Sequence, residues 1–411
     1  MSDFEKIDFS APAKKNLILI PQELDTLTYS GPLYGYIRHD TGIYVILGWE
    51  GNEPDAALKA DYIGRVFSTL KGKHGLEGYL RDIYQSATRR GEFLEGVNIG
   101  VVGIQNAKGL EFGLHAGLEL STIFEKQVYS ITQDLFSRNS GLLETNKMKD
   151  KSALIVGCGS VGSTLALQLA RSGVGKFVLV DMDTVEIHNI CRHQCNLTDV
   201  GRYKTDALRD RIIAINPFAS VKCYNKIIQN VTDGELNNCL DHQSIIIGCG
   251  DNVVSDAYSC GLAYDRNIPF VSIGFWTRAS VCEIFVSIPQ RGDTCYQCAF
   301  KGVIEKAIEE TRRSHHYVDD EGKTQMIFVP GLSVDIEFGT SIGSKIVLDS
   351  LNLNDPDYIS KVLHTLTQWT LICNTNDTRI GGPRAASFPH PLDVVRNFDV
   401  VKDICCCQKR C

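Results

Sequence analysis

From Ser152 onward, short unbroken apolar runs alternate with stretches whose apolar positions recur every three or four residues. Ala153-Leu154-Ile155-Val156 reads as a buried strand, Ser163 to Ser172 as a helix and Phe177 to Val180 as a second strand. Asp206 to Ile215 is helical, and Ile227 to Val231 marks the turn out of a further strand. Ser244 to Ile247 is another strand, Val254 to Arg266 a helix, and Phe270-Val271-Ser272-Ile273 one more strand. Strands alternating with helices predict an α/β fold built on a Rossmann-like, doubly wound, mostly parallel sheet. Before that point the texture differs. Tyr34 to Glu50 alternates like a strand pair around Asp40-Thr41-Gly42, and Val97 to Ile104 reads as a strand. Ala56 to Leu70, Glu77 to Arg90 and Leu118 to Ser137 carry helical spacing, the last as one long amphipathic helix. The expected organisation is an appended N-terminal α/β domain of unassigned function over 1–135, followed by a second domain over 136–411.

The 411 residues are 43% apolar and 22% charged, ordinary for a globular protein with two or three cores. A formal net charge of -7 argues against a general nucleic-acid binder, which needs a basic footprint, without excluding a local phosphate pocket. The first residues, Met1-Ser2-Asp3-Phe4-Glu5-Lys6, lack the pattern of a signal peptide, and no apolar run has membrane-spanning length. The expectation is a cytoplasmic protein without a membrane partner.

Between the first predicted strand and helix lies Gly157-Cys158-Gly159-Ser160-Val161-Gly162, a G-x-G-x-x-G. Glycines there permit a tight turn and close backbone approach, and the helix start offers unpaired N–H groups to phosphate. Asp181 closes the next strand, where an acid holds ribose hydroxyls. A hydride-transfer enzyme shares these features. Arg192 and Lys204, two cations just beyond the ribose acid, instead fit a triphosphate and the charge that develops on departing pyrophosphate.

The order of these residues resembles the ThiF/MoeB family of adenylyltransferases, which also supplies the adenylation domain of ubiquitin-activating enzymes. The family pattern runs glycine loop, D-x-D, N-x-x-R, lysine and a later Asp. Here it is met by Gly157 to Gly162, Asp181-Met182-Asp183, Asn189 with Arg192, Lys204, and Asp251 in Gly250-Asp251-Asn252. The resemblance, over about 136 to 350, implies that Gly157, Gly159, Ser160, Val161 and Gly162 seat ATP. It places Asp181 on the ribose, counts Asp183 among the nucleotide-binding residues, and places Asn189, Arg192 and Lys204 along the phosphates and Asp251 on Mg²⁺. Leu135-Phe136-Ser137-Arg138-Asn139 is similar to the family's arginine-bearing segment, which implies that Arg138 reaches the nucleotide of a second subunit in a homodimer. The glutamine that usually follows that arginine is missing.

Among fifteen cysteines, Cys158, Cys191, Cys239 and Cys282 stand alone in the sequence and read as small buried hydrophobes. Cys295-Tyr296-Gln297-Cys298 is a C-x-x-C knuckle, two sulfurs about one zinc apart, with a redox pair as the rival reading. Family members close such a site with a second knuckle near the C-terminus. Here the tail offers Cys405, Cys406, Cys407 and Cys411, of which Cys407 and Cys411 are the expected partners for a structural Zn²⁺. Ubiquitin-activating relatives carry an acceptor cysteine in the crossover segment, but here Ala299 to Phe338 contains none. It holds Glu309 to His316, with His315 and His316 read as surface residues.

The expected function is therefore ATP- and Mg²⁺-dependent adenylation of the C-terminal carboxylate of a ubiquitin-like or sulfur-carrier-like protein ending in glycine. The product would pass to a thiol or to a conjugating enzyme, within a bacterial ubiquitin-like conjugation pathway of the antiviral-defence kind. The alternative is adenylation of a peptide or another small carboxylate without a thioester step.

Overall fold

The computed structural model describes residues 16–68, 99–106, 109–116, 119–250, 252–314, 330–397, 400 and 406. The chain divides into two compact units, 1–138 and 139–411.

Among its described residues the first unit is built on one eight-stranded mixed sheet. Its strands are β1 (Leu17–Pro21), β2 (Gly31–Arg38), β3 (Ile43–Trp49), β4 (Asp61–Ser68), β5 (Ile99–Asn106), β6 (Gly109–Ala116), β7 (Glu119–Ile123) and β8 (Glu125–Tyr129). The spatial order is β7-β6-β5-β4-β2-β3-β1-β8. The expected strand pair is β2 and β3, antiparallel, joined where Gly42 takes a positive φ of 69°. Every second residue of β2 from Gly31 to Gly35 is buried, and Leu33 joins Ile18, Ile46, Val66, Phe112 and Phe124 in the core.

Two helical expectations are corrected here. Ala56 to Leu70 gives only a 3₁₀ turn over Ala56–Leu58, closed by Lys59 in the left-handed region at φ 50°, and then strand β4. Tyr62, Ile63, Val66 and Phe67 are β-branched or aromatic and suit a pleated surface. Gly64 also lies so close to Val101 O that a Cβ would sit 1.9 Å from it, which fits a strand interior pressed against β5. The long helix over Leu118 to Ser137 is instead β7, β8 and a four-residue helical turn at Ile131–Asp134. Phe124 lies between the two strands and is buried, so the apolar residues spaced by four serve two different strands rather than one helix face. Glu77 to Arg90 lies outside the described residues.

The second unit follows the predicted alternation. Strands β9 (Ser152–Val156), β10 (Lys176–Val180), β11 (Ser220–Tyr224), β12 (Ser244–Gly248) and β13 (Phe270–Phe275) run parallel. Strands β14 (Val281–Ser287), β15 (Trp369–Cys373) and β16 (Val394–Asn397) extend the sheet antiparallel. The order is β11-β10-β9-β12-β13-β14-β15-β16. All five residues of β9 and of β12 are buried, as strands covered on both faces require.

Helices α1 (Ser160–Arg171), α2 (Lys204–Ile215) and α5 (Ser333–Leu351) pack together on one face. Gly339 and Gly343 let α5 approach Cys282 and Ile273; a Cβ at either position would meet those side chains at 2.4–2.7 Å. The opposite face carries α3 (Val253–Asp265) and α4 (Lys301–Ser314), over Leu154, Val178, Ile246, Phe270 and Phe285. Strand order reverses between β9 and β12, so a crevice opens beyond their carboxyl ends. Open α/β sheets bind ligands at such a switch point.

Candidate nucleotide site and cysteine cluster

The glycine loop leaves β9 at the switch point, and its three glycines meet three different demands. Gly157 has φ +92°, and a Cβ there would lie 2.6 Å from Gly250 N, so this residue allows both the tight turn and the contact across the crevice. Gly162 is pressed against the turn behind it, with a Cβ position 1.9 Å from Gly157 O. A Cβ added at Gly159 would project into open space, with nothing within 4 Å of it. That open side faces the start of α1, where Gly159 is the N-cap and no side chain satisfies the first-turn N–H groups. Unpaired donors at the start of a twelve-residue helix are the elementary requirement for holding phosphate.

Asp181 directly follows β10 and is tied to the loop. Its Oδ2 accepts from Cys158 N at 2.7 Å, and its Oδ1 accepts from Asp183 N at 2.8 Å. A carboxylate has about four acceptor positions, so both oxygens retain capacity for ribose hydroxyls. Asp183 accepts from Lys204 Nζ at 2.8 Å, and Lys204 N donates to Asp183 O at 3.0 Å. The lysine side chain is 12% exposed, so the start of α2 holds this cation at the edge of the crevice.

Asn189 and Arg192 sit on the loop between β10 and α2. Asn189 Oδ1 accepts from Glu186 N at 2.9 Å, closing a capping box on the 3₁₀ turn Ile187–Asn189. Arg192 N and His193 N both donate to Asn189 O. This turn aims Arg192 into a cleft of about 640 Å³ that is also lined by His188, Cys191, Arg278, Gly331 and Asp335. Asp251 lies outside the described residues. Its neighbour Asn252 caps α3, accepting from Val254 N and Ser255 N at 3.0 Å. Arg138 is exposed on the 3₁₀ turn Ser137–Asn139.

One residue the sequence reading passed over is His193. It is buried, its Nε2–H donates to Cys158 O at 2.7 Å, and its Nδ1 accepts from Cys195 N at 3.0 Å. Accepting through Nδ1 places the proton on Nε2, so the neutral ring bridges the glycine loop and the Arg192 segment. Burial pushes its pKa below the ordinary value, in keeping with a neutral ring. Gln194 extends the tie, donating to Thr164 Oγ1 on α1 and to Glu337 Oε1 on α5. A histidine and glutamine directly after the N-x-x-R arginine were the available signal.

The cysteines divide. Cys158 and Cys282 are buried as expected and Cys239 is half-buried, but Cys191 is exposed, a correction to its reading as a core residue. The turn that points Arg192 inward leaves the preceding side chain on the surface of the same cleft. Cys295, Cys298 and Cys406 bring three sulfurs within 4.8 Å of one another. The Cys295 and Cys406 sulfurs are 3.6 Å apart, close to the edge of a tetrahedral zinc–thiolate site, ~3.8 Å for Zn–S bonds of ~2.3 Å. Cys406 N donates to Cys298 Sγ at 3.3 Å. The donor set therefore fits a structural zinc ion. The tail residue brought to the knuckle is Cys406, whereas Cys405, Cys407 and Cys411 lie outside the described residues, as do His315 and His316. Burial and the neighbouring thiols raise the Cys406 thiol to about 12, and a bound cation would reverse that preference by stabilising thiolate.

A helix start without a side-chain cap, Asp181 just beyond β10, and the cations Arg192 and Lys204 on the segment after it lie around the switch point of a parallel sheet, the place where open α/β sheets bind ligands. The ThiF family's sequence pattern matches residues 132–339, and the chain belongs to the ThiF family. It is similar to molybdopterin-synthase adenylyltransferase of Escherichia coli (strain K12), with 32% identity over 163 residues, 39% of this chain and 63% of that protein. It is also similar to ubiquitin-like modifier-activating enzyme 5 of Caenorhabditis briggsae, with 39% identity over 177 residues, 40% of each chain. The chain thus spans less than two thirds of these relatives. Among solved structures, that of E. coli MccB with ATP is 17% identical, covers 64% of this chain and 68% of its own, and has a TM-score of 0.46. No helix among the described residues is long and apolar enough to cross a membrane.

Proposed function

We propose that this chain is an adenylyltransferase that uses ATP and Mg²⁺ to activate the C-terminal carboxylate of a ubiquitin-like or sulfur-carrier-like protein ending in glycine. The observation that carries the reading is the hydrogen-bonded continuity of the switch-point residues. Cys158 N binds Asp181, Asp183 binds Lys204, and His193 binds Cys158 O while following Arg192 directly. These bonds connect the helix start and Asp181 with the segments that carry Lys204 and Arg192, the groups that in this reading hold ribose and phosphates. A carboxylate is already a nucleophile, so the site has only to position it in line with the α-phosphorus and to offset charge on the leaving pyrophosphate. No general base is needed.

In this reading Gly157, Gly159, Ser160, Val161 and Gly162 seat the nucleotide, and Asp181 and Asp183 serve the ribose side. Asn189, Arg192 and Lys204 serve the phosphates. Asp251 is the residue that would hold Mg²⁺, whose chemistry is to neutralise phosphate charge. Arg138 acts in the nucleotide site of a second copy of the chain, and Cys295, Cys298 and tail cysteines hold zinc. The setting is cytoplasmic, with a conjugating enzyme downstream in a bacterial ubiquitin-like pathway of antiviral type. The cysteine-free segment 299–338 favours a second reading, in which a peptide carboxylate is adenylated without a thioester step.

Exchange of labelled pyrophosphate into ATP tests the proposal. It should require Mg²⁺ and a glycine-ended carboxyl substrate, and Arg192→Ala or Asp251→Ala should lower it by on the order of 10² to 10³. Exchange that persists at wild-type rate in both variants would remove the site assignment.

A further inference from the structure

Two consecutive residues in the turn from β13 to β14 stand in the left-handed region without being glycine. Arg278 has φ 53° and ψ 30°, and Ala279 has φ 53°. Residues with a Cβ rarely adopt this conformation, which persists only where the surroundings over-determine it. Here they do. Trp276 N donates to Val281 O at 2.9 Å and Ser280 N to Thr277 O at 3.1 Å, closing the turn. Asn374 Nδ2 donates to Ala279 O at 2.7 Å and to Asp335 O at 3.1 Å. Gly381 is pressed against the far side, where a Cβ would lie 2.7 Å from the Ser280 Cβ.

What the turn delivers is a cation. Arg278 is exposed and lines the same cleft as Arg192. Gly331 separates the two segments: a Cβ there would lie 3.6 Å from the Ala279 Cβ and 3.8 Å from Arg192 Nη1. Arg278 Nη1 donates to Arg379 O at 3.2 Å, which anchors the guanidinium while its other N–H groups keep capacity. Arg384 is exposed on the adjoining segment, its guanidinium carbon 5.9 Å from the centre of the Trp276 ring. Among the described residues neither arginine forms an ion pair. Glu283, whose field reaches Arg384, instead accepts from the Trp276 and Trp369 indoles at 3.3 and 2.6 Å, and Asp377 pairs with Arg379. Asp335, which also lines the cleft, stands in the first turn of α5, where the helix dipole favours a negative charge. A chain with a net charge of -7 therefore keeps two cations without acidic partners beside the Arg192 segment, one of them on a strained turn.

We propose that Arg278 and Arg384 read an acidic side chain of the substrate, so that the preferred polypeptide carries glutamate or aspartate shortly before its terminal glycine. This rests on the adenylation reading above and narrows the substrate class of that same site. In that reading the terminal carboxylate lies near Arg192, so the side chains just upstream of it pass the turn. The guanidinium fork meets a carboxylate with two parallel N–H donors, which suits it to this recognition. An exposed arginine–carboxylate pair changes an equilibrium constant by up to about fivefold, so two give on the order of tenfold, and salt screens both.

The test uses the whole protein and synthetic peptides that end in Gly-Gly and carry glutamate, glutamine or lysine just before the glycines. Pyrophosphate exchange is measured with each peptide, and binding is measured by fluorescence anisotropy with an α,β-methylene analogue of ATP present. At low salt the glutamate peptide should bind and exchange on the order of tenfold better than the lysine peptide, and the gap should close as salt is raised. Arg384→Ala should narrow the gap, and Arg278→Glu should invert it, a gain that misfolding could not produce. Arg278→Gly suits φ 53°, so it should keep the denaturant midpoint at or above the wild-type value while narrowing the gap. Equal use of the three peptides, or a gap unchanged in Arg278→Gly, would overturn the acid-reading subsite and leave the adenylation reading standing. If no peptide supports exchange at any concentration, both fall.

Discussion

His193 is the residue on which the crevice turns. It joins two segments separated by 35 positions through one side-chain contact to Cys158 O. Its folded pKa lies below the ordinary 6.5, so between those two values the unfolded chain binds the extra proton. Stability is then fully retained above pH 6.5 and declines as pH falls through that value towards the lower, folded one. Denaturant midpoints between pH 7.5 and 5 should show this acid limb, and His193→Gln, which cannot take up the proton, should flatten it. An unchanged limb in the variant would assign the titration elsewhere. The turn made by the glycines between β9 and α1 and the position of Asp181 just beyond β10 were legible in the sequence because each belongs to a local pattern. His193 was not, because its bond to Cys158 exists only once two distant turns meet. Exposure of Cys191 escaped for a related reason: which side of a 3₁₀ turn faces solvent depends on where its arginine points.

At the scale of elements, strands β9, β10, β12 and β13 could be read directly, since a strand buried on both faces is an unbroken apolar run. The helices between them carried their own spacing. In the first unit the same reasoning failed at 56–70 and 118–137, where apolar residues three or four apart fit both a helix stripe and pairs of strands. Pairing partners decided the outcome, as Gly64 against Val101 and Phe124 against the core show. The loop from β9 to α1 offers a sharper test. Gly157→Ala would place a non-glycine residue at φ +92° and press its Cβ against Gly250. The expected cost is on the order of 2 kcal/mol or more, together with loss of ATP binding, checked by denaturant midpoint and calorimetry. A variant as stable as wild type that still binds ATP would mean that the crevice relaxes more readily than its contacts imply.

For the whole molecule, the knuckle at Cys295 and Cys298 meets a residue more than a hundred positions later. The purified protein should contain about one zinc per chain, and Cys298→Ser should lose it. Chelation should lower the thermal midpoint, because metal-binding free energy is also folding free energy. A metal-free preparation with an unchanged midpoint would leave the three thiols as ordinary packing. The knuckle was legible as a motif, but the approach of Cys406 to it was not, since adjacent cysteines in a tail differ only in the path by which the backbone arrives.

That long separation has a bearing on biosynthesis. As the polypeptide emerges from the ribosome, β9 to β13 can assemble while Cys295 and Cys298 still lack their tail partner. Any ion gathered by all three sulfurs is therefore acquired only after Cys406 has cleared the exit tunnel, more than a hundred residues after the knuckle. Truncations that stop before it would leave the nascent sheet with its clasp undone.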